Sequence, residues 1–136
     1  MKVNGILETA LYVEDLARSV AFYRRVFGFP TLVEDDRLCA LNVADRDVLL
    51  LFLKGATSEP AKLYGGLIPP HDGSGRLHFA FGIEAEDVEP WKERLVAEGV
   101  AIEGVVEWPK GATSLYFRDP DGHLVELMSR GWWSIY

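Results

Sequence analysis

Leu124, Val125, Leu127 and Met128 read as a short buried strand, yet Glu126 stands among them, where an unpaired carboxylate would be costly. Two more residues of coordinating type occupy comparable apolar runs: Glu8 in ILETALYV and His78 in RLHFAFGI. Two carboxylates and an imidazole converging on one cavity suit a divalent metal, whose charge would answer that of Glu126. With hard oxygen donors, one imidazole and no thiolate, the expected ion is Ni, Co, Mn, Fe or Zn, with no preference for Cu(I). Each residue also has a plainer explanation. Glu8 could be a surface carboxylate near a strand start, His78 a hydrogen-bonded core histidine, and Glu126 the ion-pair partner of Arg118 across a hairpin.

Convergence requires elements that aim these side chains. In residues 6–29 a strand-like alternation runs to Val13, Asp15 can cap a helix, and Leu16, Val20, Tyr23 and Phe27 recur at helical spacing before Gly28. Residues 76–100 repeat the order: a strand to Ile83, Asp87 as a cap, Pro90 in the first turn, Val88, Trp91 and Leu95 on one face, and Gly99 at the end. Shorter strand candidates follow each helix: TLVEDDRLCALNV and RDVLLLFL in the first half, AIEGVVEW, TSLYF and HLVELM in the second. The pattern is one βαβββ unit written twice. DPDG, residues 119–122, joins the last two strands with Pro and Gly where a type I turn prefers them, and His123 is expected to serve that turn. Residues 55–76, rich in Gly and Pro, are long for a connection inside a compact domain, which points to a functional or disordered loop.

Alternation also sorts the faces. Glu8, Ala10 and Tyr12 oppose Thr9, Leu11 and Val13, while His78, Ala80 and Gly82 oppose Phe79, Phe81 and Ile83. In both strands the bulky side suits the helix and the smaller, more polar side is left to line something. Glu126 shares its face with Leu124 and Met128, and Ser114 and Tyr116 are expected to face the cavity.

Composition bounds the rest. A chain of 136 residues with 49% hydrophobic content has the length of about one domain and enough apolar material for a core. The longest apolar run, Val48 to Leu53, is far too short for a bilayer, and MKVNGILETA has no apolar signal core. The expectation is a cytoplasmic protein. Cys39 is the only cysteine and reads as a small buried apolar residue. A net charge of −7, with 14 scattered basic residues, argues against nucleic acid or anionic membranes as partners.

Both strand-helix segments, and above all YFRDPDGHLVEL at 116–127, resemble the vicinal oxygen chelate superfamily, which includes glyoxalase I, fosfomycin resistance proteins, extradiol dioxygenases and bleomycin-binding proteins. The resemblance covers residues 5–129 and implies a single α+β domain, with two βαβββ modules forming a cupped, barrel-like mixed sheet and helices outside. Module one is 5–54, the linker 55–76, module two 77–129 and an aromatic tail 130–136. Carried over, the metal positions are Glu8, His78 and Glu126. The fourth position used by glyoxalase I falls near Leu50, a departure that leaves three protein ligands, as in fosfomycin-type enzymes. Extradiol dioxygenases use two His and one Glu, so Glu8 departs from them as well.

The resemblance implies a glyoxalase-like, metal-dependent enzyme of lyase or isomerase type, which chelates neighbouring oxygens of a small substrate and stabilises an oxyanion. Glu126 or Glu8 would act as the base, and Tyr116, Ser114, His71 and Arg118 are candidate substrate contacts. It further implies a homodimer with its sites at the interface. Two other classes remain open: a metal-free protein that sequesters a drug or metabolite, and an Fe(II) dioxygenase. Trp132, Trp133 and Tyr136 in the tail are expected to pack on a subunit partner or over the cavity.

Overall fold

The computed structural model describes residues 1–136 as two compact units, Met1–Gly75 and Arg76–Tyr136. In the first, β1 (Glu8–Val13), α1 (Leu16–Phe27), β2 (Thr31–Glu34), β3 (Leu38–Val43) and β4 (Asp47–Leu53) form the expected βαβββ module. Its sheet runs β1-β4-β3-β2, with β1 parallel to β4 and the other pairs antiparallel. The Asp15 carboxylate accepts the Arg18 N–H at 2.9 Å, satisfying one of the helix's free donors. Gly28 ends α1 in the left-handed conformation at φ 73°. Between these caps α1 buries Val20, Tyr23 and Val26 and packs on β3 and β4, whose inward residues Cys39, Leu41, Leu49 and Leu51 are fully buried.

The linker is more ordered than a bare loop. It folds into a hairpin of β5 (Ala61–Leu63) and β6 (Gly66–Ile68). Tyr64 and Gly65 have φ of 46° and 82°, the left-handed pair that a two-residue hairpin turn requires. Three-residue strands carry too little alternation to be read from sequence.

The second unit repeats the plan with β7 (His78–Ile83), α2 (Val88–Ala97), β8 (Ile102–Glu107), β9 (Thr113–Arg118) and β10 (Leu124–Ser129). Its sheet runs β7-β10-β9-β8, with β7 parallel to β10. Val88 and Leu95 are buried on α2, over a core that includes Leu115, Phe117, Val125 and Leu127. Asp87 does not cap this helix with its side chain. Residues 85–87 form a 3-10 turn that runs into α2, so Asp87 already has helical dihedrals and its carboxylate is not used.

The DPDG turn forms as read, with the Gly122 N–H on the Asp119 carbonyl at 3.0 Å. The Asp119 carboxylate accepts the N–H groups of Asp121 and His123, at 3.0 and 2.8 Å. His123 is buried, and its Nδ1 accepts the Leu77 N–H at 3.0 Å. The turn histidine thus fixes the chain one residue before His78. The tail folds back onto its own unit: the Tyr136 hydroxyl donates to the Ile83 carbonyl at 3.1 Å and Trp132 packs against Trp108 with ring centroids 4.6 Å apart. Trp133 stays exposed. No helix is long and apolar enough to cross a membrane.

Candidate metal site and substrate cavity

In the second unit the register sets Leu124 beside His78 and Glu126 beside Ala80 and Tyr116, all on the face away from α2's core. His78 Nε2 lies 3.3 Å from Glu126 Oε2, and His78 Nδ1 lies 3.1 Å from the Leu124 carbonyl oxygen. A carbonyl only accepts, so Nδ1 carries the proton and Nε2 of the neutral ring is left with a lone pair. That lone pair faces a carboxylate of which only 6% is exposed, on a ring that is half open to solvent. Two donors of electron density at this separation need a positive charge between or upon them, either a proton on Nε2 or a cation. The pair therefore fits a divalent metal: a neutral imidazole nitrogen oriented by a carbonyl behind it, beside a buried carboxylate.

Tyr116 borders the pair, its ring 6.2 Å from that of His78. Burial pushes the Tyr116 phenol above its ordinary pKa; a hydrogen bond with Ser114 lowers it, and the hydrogen bond and charge of Glu126 raise it again. Ser114 itself is fully buried and its hydroxyl accepts the Trp108 indole N–H at 2.7 Å. Arg118 pairs with Glu103 at 3.0 Å and donates to the Gly122 carbonyl at 3.1 Å, so its guanidinium is held by β8 and the turn.

In the first unit Glu8 is exposed at the start of β1, at the margin of a cavity of about 380 Å³. Leu50, the counterpart of Glu126, lines it beside Glu8. His71 also lines the cavity, held by the linker: its N–H donates to the Thr57 carbonyl at 3.0 Å and its own carbonyl accepts the Thr57 hydroxyl. Its Nδ1 is 2.7 Å from the Tyr12 hydroxyl. Burial, and secondarily the charge of Asp72, push the Tyr12 phenol up. Tyr12 was not legible as a site residue, although its place on the Glu8 face was; its partner lies 59 residues away in the linker. Neither unit by itself gathers three His, Cys, Asp or Glu side chains into a metal-holding group.

Residues 5–127 match the profile of the Glyoxalase/Bleomycin resistance protein/Dioxygenase superfamily. Among curated proteins, a glutathione transferase FosA from Serratia marcescens is 33% identical over 128 residues, covering 92% of this chain and 80% of that protein. A metallothiol transferase FosB from Bacillus licheniformis is 30% identical over 127 residues, covering 93% and 75%. Among solved structures, a lactoylglutathione lyase from Agrobacterium tumefaciens superposes with a TM-score of 0.88 at 35% identity, covering 98% of this chain and 99% of that one.

Proposed function

The chain belongs to the glyoxalase/bleomycin resistance protein/dioxygenase superfamily, and within it we propose a metal-dependent enzyme of glyoxalase type, acting on a small substrate with two neighbouring oxygens. The observation that carries this reading is the His78–Glu126 pair at 3.3 Å, with the far side of the imidazole bound to the Leu124 carbonyl. A divalent ion of the Ni, Co, Mn, Fe or Zn group supplies Lewis-acid polarisation of the substrate oxygens when bound. His78 offers Nε2 and Glu126 a carboxylate oxygen. Glu126 or Glu8 takes the proton lost from the substrate carbon, since His78 serves as a ligand in this reading. Tyr116, whose phenol burial keeps neutral, gives its one O–H to Glu126, so it orients that carboxylate and reaches a substrate oxygen only by exchanging that bond.

Glu8 is the third ligand in this reading. Glu8 belongs to one compact unit and His78 and Glu126 to the other, and we assign Glu8 of one protomer to His78 and Glu126 of another in a homodimer with its sites at the interface. Mixing inactive Glu8→Ala and His78→Ala proteins tests this: each mixed dimer then has one intact site and one doubly defective site. Metal binding should return on subunit exchange, and a mixture that stays inert although mixed dimers have formed would overturn the shared site. The acidic chain and its scattered basic residues argue against a nucleic-acid or anionic-membrane partner, which leaves the reading with a small-molecule substrate.

The curated relatives favour a second reading, addition of a thiol to an electrophile, since one is a glutathione transferase and the other a metallothiol transferase. Two assays separate the readings. Lyase or isomerase activity converts a 2-oxoaldehyde–glutathione adduct into a thioester, whereas transfer consumes glutathione in the presence of an electrophile such as fosfomycin.

A further inference from the structure

Two oxygens held at a metal do not account for the carbon that lines the cavity of the first unit. Leu38, Leu50, Phe52, Leu63, Ile68 and Pro69 all contribute to it. The first three lie on one face of the sheet, Leu50 beside Ala10 and Ala40, and Phe52 beside Tyr12 and Leu38. Leu63 and Ile68 come from the β5–β6 hairpin and remain exposed on their outer sides. A partly open cavity of this size, mostly apolar though its lining also includes Glu8, Arg37 and Glu59, is of the kind that holds a small organic ligand.

A polar group is fixed at its edge. The His71 ring stands edge-on to Phe52, centroids 4.8 Å apart at 73°, and Thr57 holds the His71 backbone at both N–H and carbonyl. Gly73 lies so close to Tyr12 that a Cβ there would come within 2.3 Å of the ring, so the linker backbone seats the tyrosine as well as the histidine. A neutral phenol donating to Nδ1 makes His71 the Nε2–H tautomer. Nε2 is then the ring's donor.

Resting on the metal-enzyme reading above, we propose that this cavity takes an aryl or branched-alkyl arm of the substrate, and that His71, positioned by Tyr12, donates its Nε2–H to a substrate oxygen. The substrate class is a vicinal dioxygen compound, such as a 2-oxo acid or 2-oxoaldehyde derivative, bearing an apolar substituent. Burial of that substituent against Leu50, Phe52 and Ile68 supplies affinity that a compact polar substrate lacks.

Phenylpyruvate and pyruvate test the assignment, since they share the two oxygens and differ by the phenyl ring. Each is titrated into the zinc-loaded full-length protein while the methyl resonances of Leu50, Leu63 and Ile68 and the ring nitrogens of His71 are followed by NMR. Phenylpyruvate should bind at least tenfold more tightly and shift those methyls. Ile68→Asn, on the exposed roof, should remove that advantage and leave pyruvate unchanged. The His71 nitrogens should report Nε2–H in the free protein, and Tyr12→Phe should abolish that preference and weaken phenylpyruvate several-fold. Equal binding of the two acids, an advantage that survives Ile68→Asn, or a His71 protonated on Nδ1 would each overturn the proposal. If the protein holds no metal yet still prefers phenylpyruvate through Ile68, the metal reading fails and the cavity assignment stands. If metal binding depends on His78 but the phenyl ring gains nothing, only the cavity assignment fails.

Discussion

Module one and module two repeat one register. Ala10 sits beside Leu50 as Ala80 sits beside Glu126, and Glu8 beside Val48 as His78 beside Leu124. On the core side the repeat is close in character as well as position: Leu51 pairs with Leu11, Leu127 with Phe81, and Leu51 and Leu127 are fully buried. On the opposite side the modules part. Module two keeps an imidazole and a buried carboxylate 3.3 Å apart. Module one has an exposed Glu8 beside a mostly apolar cavity, roofed by the linker hairpin and lined also by Arg37, Glu59 and His71. The aromatic arrangement is exchanged too, since Tyr12 projects from β1 under Gly73, while in β7 the same position is Gly82 and Tyr136 of the tail fills the space. Packing against the helices constrains one face of each sheet; the other face is free to divide donors and cavity between modules.

If the core faces are equivalent, equivalent deletions should cost alike. Leu51→Ala and Leu127→Ala are each expected to lose about 2–5 kcal/mol of stability through lost burial and the cavity left behind. Urea unfolding of both variants checks this. A loss confined to one module would mean that the repeat in register is not a repeat in energetics.

The core face was also the part most legible in the sequence. Alternation in residues 6–13 and 76–83, the Asp15 cap, Gly28 and DPDG follow local rules, and local rules are what a single sequence records. Glu126 was legible as an anomaly because a carboxylate in an apolar strand needs a partner, and the structure pairs it with His78 at 3.3 Å while Arg118 turns to Glu103. Other features depend on contacts distant in sequence. Tyr12 meets His71 across 59 residues, the 61–68 hairpin is too short to show a period, and Ser114 is enclosed by Trp108, which reaches it from the β8–β9 connection. Asp87 was misread because a 3-10 turn precedes α2, and capping rules presume an extended entry.

The exchanged aromatics give a smaller contrast. Gly82→Ala would bring a Cβ within 2.2 Å of the Tyr136 hydroxyl, and Gly73→Ala one within 2.3 Å of the Tyr12 ring. Gly73→Ala is expected to cost about 1–3 kcal/mol, the range for overpacking, and Gly82→Ala less, because it meets the hydroxyl end of the tail's tyrosine; the local results differ too. Gly82→Ala should unseat the tail and speed trypsin cleavage after the exposed Arg130, whereas Gly73→Ala should leave that rate unchanged and loosen the linker.

The smallest effect lies in the turn between β2 and β3. The Asp35 carboxylate accepts the N–H groups of Arg37 and Leu38 at 2.8 and 2.9 Å, and the Arg37 bond is the largest cause holding its pKa below the usual value. A carboxylate depressed in the folded state contributes stability above its ordinary pKa of ~4 and loses it as pH falls through the lower folded value. Asp35→Asn should therefore cost a few tenths of a kcal/mol at neutral pH, the scale of a solvent-screened contact, and progressively less in acid. Denaturation curves at both ends of that range would show it, and a cost that does not change with pH would remove the carboxylate from the turn's account.

Metal content measured on matched variants tests most directly the claim that module two carries the donor pair and module one the cavity. Wild-type protein and the Glu126→Ala, His78→Ala and Leu50→Ala variants would be equilibrated with one divalent ion and assayed for bound metal, with circular dichroism recording the fold. The expected result is one ion per chain in wild type, affinity weakened about a hundredfold or more by His78→Ala or Glu126→Ala with the fold intact, and little change in Leu50→Ala. Full occupancy in the His78→Ala protein, or a loss in Leu50→Ala equal to that in Glu126→Ala, would contradict it.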